Sequence, residues 1–192
     1  MKSLAFAALA LTALPLAAPV QAAERTAQAA APFPSYKDMR RQIVANDSRL
    51  FYGFFEGCDP DLAGDLLHPD FRMVHDKVGL AHDSAADTVS SSRAQCSKRE
   101  PGGENAGYKN RRLLVPGSRI VRPLGEWGAL EEGWHTFLEW RDSLNDGKGG
   151  WELTGGARYI HTWQWMPEEG RFRLLESISI DHGAPLAYPP QG

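Results

Sequence analysis

The sequence has no basic run of five or more residues, and its 21 Lys and Arg are outnumbered by 24 Asp and Glu, leaving a formal net charge of -3. Nucleic acids and anionic membrane surfaces are held by clustered positive charge, so both are poor partners for this chain. It has no Gly-x-Ser-x-Gly elbow, no phosphate loop and no dinucleotide fingerprint, so no motif announces a hydrolase of that kind or a nucleotide cofactor. Its six histidines are scattered, with no His-x-x-x-His or Cys-x-x-Cys spacing. That pattern argues against a metal, and no cofactor is expected. Only two cysteines occur, Cys58 and Cys96. They are either bonded to each other or separate buried thiols, and sequence alone does not place their Cα atoms within bonding range. There is no internal repeat.

Long apolar runs are also missing, apart from one at the start. Lys2 gives a positive first region, Leu4 to Leu16 an apolar one, and Val20-Gln21-Ala22 a small-residue cleavage site. This is the pattern of a signal peptide over residues 1–22, cut after Ala22 and too short for a stable anchor. No Cys lies near the cut, so lipid attachment is not expected. The mature protein is expected to be soluble and secreted, in a bacterial periplasm, where a disulfide would persist. Residues 23–34 read as a flexible, Ala-rich lead-in, 35–183 as one domain and 184–192 as a Pro-rich tail. With 192 residues, 42% hydrophobic and 23% charged, the composition is that of an ordinary globular chain with room for one well-buried domain.

Ser35-Tyr36-Lys37-Asp38 resembles a capping box and opens a first helix, with Met39, Ile43, Leu50, Phe51, Phe54 and Phe55 at helical spacing. Asn46 and Asp47 interrupt that stripe. Gly57 ends it, and Asp59-Pro60 starts a short second helix. Phe71 to Val74 reads as a strand with Phe71, Met73 and His75 on one face, followed by a turn from His75 to Gly79. Ser84 to Cys96 is a weaker helix, and residues 97–111 form a polar loop. Strands follow over Leu113 to Val121, broken around Pro116-Gly117, and over Ala129 to Trp140. In the latter, Trp134, Leu138 and Trp140 point one way and His135, Phe137 and Glu139 the other. Asn145-Asp146-Gly147 opens a Gly-rich link. Helices first and antiparallel strands after imply an α+β fold in which a curved antiparallel sheet wraps one face around about three helices.

Arg158 to His182 is the most informative stretch. Two aromatic and β-branched runs flank Pro167-Glu168-Glu169-Gly170, a hairpin connection. Placing Met166 opposite Arg171 pairs Trp165 with Phe172, Trp163 with Leu174, His161 with Glu176 and Tyr159 with Ile178, all on one face. A histidine and a carboxylate then face each other in an aromatic wall. Such a pair can fix the imidazole tautomer and move a proton, or can simply satisfy two buried polar groups. By the same register His182, rather than Asp181, faces the pocket.

Phe54-Phe55-Glu56-Gly57-Cys58-Asp59 through Leu66, His68-Pro69-Asp70-Phe71 leading to His75, Val121 to Gly133, and Tyr159 to Trp163 with Arg173-Leu174-Leu175 resemble the nuclear transport factor 2-like superfamily, which includes ketosteroid isomerase and SnoaL-like proteins. The resemblance spans roughly Met39 to Asp181. It implies a cone with a hydrophobic pocket between sheet and helices, on a fold that serves isomerases, cyclases, dehydratases, binding proteins and dimerisation modules. Tyr52 in the first helix could reach such a pocket. The isomerase's two aspartates have no counterparts here, so steroid isomerisation is not implied.

Two functional expectations follow. In one, an exported protein binds a small apolar or aromatic molecule in the cone and acts as a lyase or isomerase, with His161 and Glu176 as the acid/base pair. Its pocket would be lined by Tyr52, Phe71, Met73, His75, Trp134, Trp140, Tyr159, Trp163, Ile178 and His182. In the other, the chain is a non-catalytic module that dimerises through the outer face of its sheet, because Phe137 and His135 point opposite to Trp134 and Trp140. A homodimer is expected in either case.

Overall fold

The computed structural model describes residues 30–183. The expected signal peptide, most of the lead-in and the Pro-rich tail lie outside the described residues.

Ser35 caps helix α1 (Tyr36–Phe54), its Oγ accepting the N–H of Asp38 at 3.2 Å. Met39, Ile43, Asp47 and Leu50 share one face of α1 and are all buried. A carboxylate therefore occupies a position that the stripe reserves for an apolar side chain. Asp59 and Pro60 begin α2 (Pro60–Gly64) as N-cap and first residue. Ser84 caps α3 (Ala85–Ser97) through the N–H of Asp87 at 3.1 Å. Cys58, just ahead of α2, is bonded to Cys96 near the end of α3, with their Cα atoms 5.6 Å apart. Thr88 is the one residue that α3 buries fully, so the disulfide anchors a helix whose apolar face is weak.

The strands are β1 (Leu67–His75), β2 (Gly79–His82), β3 (Asn110–Leu114), β4 (Ile120–Leu124), β5 (Gly128–Arg141), β6 (Gly150–Met166) and β7 (Arg171–Gly183). They form one curved, unclosed sheet in the order β2-β1-β7-β6-β5-β3, with β4 also paired to β5. The chain has the expected α+β cone architecture, with one correction: β1 and β7 run parallel. They can do so because the whole middle of the chain separates them, and parallel neighbours need a long crossover. The strand expected from Leu113 to Val121 is two strands. β3 pairs with residues 135–139 of β5 and β4 with residues 128–132. Between them Gly117, at φ 77°, turns the chain and delivers Arg119 to the interior. The Gly-rich link is itself strand from Gly150 onward, after a turn in which Asn145 and Asp146 have φ of 53° and 56°.

The end of the lead-in is packed rather than flexible. The N–H of Ala31 donates to O of Pro167 at 2.8 Å, and Phe33 meets Trp165 and Phe172 edge-on at 6.0 and 5.8 Å. These aromatics close the hairpin end of the cone.

The hairpin follows the expected register from Met166↔Arg171 to Trp163↔Leu174, and then slips. Leu175 is taken up as a bulge, so that Thr162 pairs with Glu176, His161 with Ser177 and Tyr159 with Ser179. One extra residue reverses the facing of every side chain beyond it. Glu176 is thereby carried to the outer face, where it meets Arg72 at 2.9 Å. The expected His161–Glu176 pair does not form. Ile178 likewise turns outward, opposite Ile160.

Candidate functional site

Met39, Ile43, Trp163, Trp165, Phe172 and Leu174 fill the hairpin end of the cone as a dry core. Towards the other end the walls part around a cavity of about 530 Å³. Phe51 and Phe54 of α1 and Phe55, which caps it, line the cavity on one side. Phe71, Met73, Phe137 and Tyr159 of the sheet line it on the other. Five of the six histidines also border it: His75, His82 and His182, together with His135 and His161.

A belt of buried charge lies between core and cavity. Asp47 is fully buried, and its Oδ2 accepts from Nη1 of Arg112 at 2.7 Å and from Nη2 of Arg119. Arg119 reaches on to Glu131, Nε to Oε1 at 3.0 Å. Glu131, also fully buried, accepts from Nε1 of Trp163 at 3.0 Å. Burial opposes the charge on Arg119, but Asp47 and Glu131 outweigh it and hold the guanidinium more firmly protonated than usual. Two carboxylates and two guanidinium groups thus compensate each other out of water, which is what keeps such charges tolerable there.

His161 and His135 stand on the cavity side of this belt. Nδ1 of His161 lies 3.9 Å from Oδ1 of Asp47 and 3.7 Å from Oε2 of Glu131, beyond hydrogen-bond range. Its ring is nearly parallel to that of Phe51, 16° between planes. His135 accepts at Nδ1 from Nε of Arg112, 3.0 Å away. Burial, reinforced by the Arg112 charge, lowers its pKa to about 2, so the ring is neutral and carries its proton on Nε2. Burial likewise pushes the Tyr159 phenol up, aided by Glu131. Gly133 makes room for the Tyr159 ring, since a Cβ there would lie 2.9 Å from Oη. Among the described residues, Nε2 of His135, Nη2 of Arg112, Nδ1 of His161 and Oδ1 of Asp47 have no hydrogen-bond partner.

Of the residues expected at a site, the structure brings Phe71, Met73, His75, Tyr159, His161 and His182 to the cavity. It does not bring the others. Tyr52 is exposed on the far side of α1, and Trp163 is buried in the core below the belt. Trp134 turns to the outer face, because the inner face of β5 carries Gly133 and His135. Trp140 stacks edge-on against Trp151 at 5.6 Å, away from the cavity. Conversely, His135 and Phe137 line the cavity, so the bulky residue that this strand turns outward is Trp134 rather than His135 or Phe137. Sequence reasoning missed Asp47, Arg112, Arg119, Glu131 and His135. One signal was available: a charge interrupting the apolar stripe of α1.

Asp47, Glu131 and His161 offer three ligand atoms within 4.8 Å of one another, as do His75, Asp76 and His182. The first set fits a metal poorly, since two arginines already neutralise its carboxylates.

No family model matches the sequence, and no curated protein matches it. Solved structures do. The chain is similar to ActVI-ORFA from Streptomyces coelicolor, at 9% identity and TM-score 0.59, over 76% of this chain and 97% of that one. It is similar to a nuclear transport factor 2-like superfamily protein from Salmonella enterica, at 17% and 0.55, over 79% and 94%. It is also similar to a protein from Catenulispora acidiphila in complex with S-DNPA, at 11% and 0.55, over 74% and 94%. Identities this low speak for the backbone rather than the chemistry, and on that ground the chain has the nuclear transport factor 2-like fold.

Proposed function

We propose that the chain is an exported protein that takes a small, largely apolar molecule into the cone and moves a proton on it, a lyase- or isomerase-type reaction. The observation that carries this reading is the group of unpartnered polar atoms on His135 and His161, which line the cavity, and on Arg112 and Asp47 in the belt directly behind them. Buried polar atoms are nearly always paired, and each one left alone costs about 1–3 kcal/mol. Two imidazoles on such a belt, in a cavity walled by phenylalanines, suit an aromatic or alicyclic molecule with one carbonyl or hydroxyl group. The Nε2–H of neutral His135 is an uncharged donor for the oxygen. His161 is the base: as its Nε2 takes a proton, the carboxylates of Asp47 and Glu131 beyond Nδ1 attract the new positive charge. The base therefore works with Asp47 and Glu131 rather than Glu176. The neighbour recorded with S-DNPA is in line with a ligand-holding cone. The signal-type start of the sequence and the Cys58–Cys96 bond support export.

Native mass spectrometry of the purified protein, followed by a screen of aromatic and cyclic ketones, finds the ligand. Proton NMR in deuterium oxide then reads exchange next to its carbonyl. His161→Gln is expected to bind the ligand within a few-fold of the parent and to lose the exchange. Exchange at the parent rate in that variant would sink the reading.

A further inference from the structure

The far end of β7 breaks the alternation of the strand a second time. Ser177 and Ser179 face the cavity, so a regular strand would turn His182 outward. Asp181 instead has φ 59°, a left-handed conformation that Asp tolerates better than most residues. His182 swings back onto the cavity wall. Backbone outliers of this kind gather at functional positions, where they aim a side chain.

His182 is aimed at two partners. Its Nδ1 lies 2.7 Å from Oδ1 of Asp76, and its Nε2 lies 3.1 Å from Oγ of Ser179. Asp76 is itself fixed. Its Oδ2 accepts the backbone N–H of His182 at 3.0 Å, and its own N–H donates to O of Ser179 at 3.0 Å. The backbone N–H of His182, ahead of the ring, holds the Asp76 carboxyl below its usual range. An ionised carboxylate at Nδ1 keeps the proton there and leaves the lone pair of Nε2 facing the Ser179 hydroxyl. His75 stacks on His182 at 4.0 Å. Its Nδ1 lies 3.2 Å from N of Lys77 and 3.3 Å from Oδ1 of Asp76, on the same wall of the cavity. Ser179, only 5% exposed, lies away from bulk water.

We propose that Ser179, His182 and Asp76 form a nucleophile, base and positioning carboxylate that hydrolyse small carboxylic esters with an apolar acyl group. The arrangement has the order and spacing that activate a serine hydroxyl on unrelated folds, where it is recognised by geometry rather than sequence position. Oγ of Ser179 attacks the ester carbonyl carbon as its proton passes to Nε2 of His182. The carbonyl carbon's bond to the alcohol oxygen breaks, and the imidazolium returns the proton to the leaving alkoxide. Water then adds to the acyl-serine and gives a proton to His182. Collapse releases the carboxylic acid and restores the hydroxyl. Phe71, Met73 and Phe137 supply the apolar wall for the acyl group. This chemistry sits at a different wall from the His161 floor and does not depend on it.

The full chain is treated with phenylmethylsulfonyl fluoride, and the modified peptide is mapped by mass spectrometry. Hydrolysis of p-nitrophenyl acetate and butyrate is followed alongside. The expected result is one sulfonyl adduct per chain, on Ser179. Ser179→Ala and His182→Gln should each lower kcat on the order of a hundredfold or more. Asp76→Asn should slow both labelling and kcat with little change in KM, a split that a merely structural role would not give. Glu176→Gln, on the outer face, should label as the parent does. Labelling at another residue, or full hydrolysis by Ser179→Ala with its fold intact by circular dichroism, overturns the proposal. So does absent labelling in a protein that retains one equivalent of zinc, which would reassign His75, Asp76 and His182 to a metal centre.

Discussion

Arg112 donates through Nε to Nδ1 of His135 at 3.0 Å, and the same guanidinium holds Asp47 at 2.7 Å. One arginine thus fixes a neutral imidazole on the cavity side and a carboxylate behind it. This geometry makes His135 a liability in acid. The unfolded imidazole takes a proton near pH 6.5, whereas the folded ring resists it down to about 2. Between those values the unfolded chain binds more protons, so stability rises with pH and is lost on acidification. One proton corresponds to about 1.4 kcal/mol per pH unit, or about 2–3 kcal/mol between pH 6.5 and 4.5. His75, depressed by burial and by His182, acts in the same direction. Urea unfolding across this range should show the slope, and His135→Asn, whose amide oxygen can accept the Arg112 N–H, should flatten it by about one proton. An unchanged slope would assign the proton to another group.

Asp47→Asn tests the belt. The substitution keeps the shape and removes the charge that two buried arginines share. Breaking a buried ion pair from one side costs about 3–5 kcal/mol, because the remaining charge is stranded. Asp61→Asn, which breaks an exposed pair with Arg93, should cost less than about 1 kcal/mol. Chemical denaturation of both variants gives the comparison. Similar small losses would mean that Arg112 and Arg119 find full compensation in Glu131.

These two carboxylates also show what the sequence discloses. Helix caps, the disruption at Asp47 and the hairpin tip were legible, because each is set by neighbours in the chain. The charge at Asp47 was visible, but its partners Arg112 and Arg119 come from β3 and the loop after it, and Glu131 beyond them from β5, and no local pattern links those segments. The face of β7 was not legible. Ile178 and Ile180 look like inward residues and Ser177 and Ser179 like outward ones. Here the inner surface is a polar-edged cavity instead of a dry core, so the usual reading of alternation inverts. The bulge at Leu175 and the positive φ of Asp181 then offset each other. His182 therefore reaches the cavity, as expected, by a register that differs from the expected one in between.

The Cys58–Cys96 bond closes a separation of 38 residues. In the chain-entropy account, a loop of that size is worth about 4 kcal/mol. Its removal should be felt first in α3, which buries little else and contributes Thr88, Ser91 and Gln95 to the cavity wall. Replacing both cysteines with alanine should lower stability by about that amount, and hydrogen exchange should show α3 losing protection before the β5–β6–β7 sheet. Uniform loss over the whole chain would mean that α3 is held by the rest of the fold rather than by the bond.

Glu176 provides the sharpest test of the hairpin register. On the outer face it meets Arg72, whose side chain is 60% exposed, so solvent screens the pair. Glu176→Gln should cost less than about 1 kcal/mol and leave any ligand's affinity unchanged. Ser177→Val, one position along, should weaken binding, because it fills space at the cavity wall. Deleting Leu175 removes the extra residue, so that Glu176 follows Leu174 directly and stays outward opposite Thr162 while Ser177 and Ser179 stay inward. That deletion should therefore be tolerated in thermal unfolding, and Glu176→Gln should cost as little in the deleted background as in the parent. A deletion that unfolds the protein, together with a Glu176→Gln that abolishes binding, would place Glu176 opposite His161 after all.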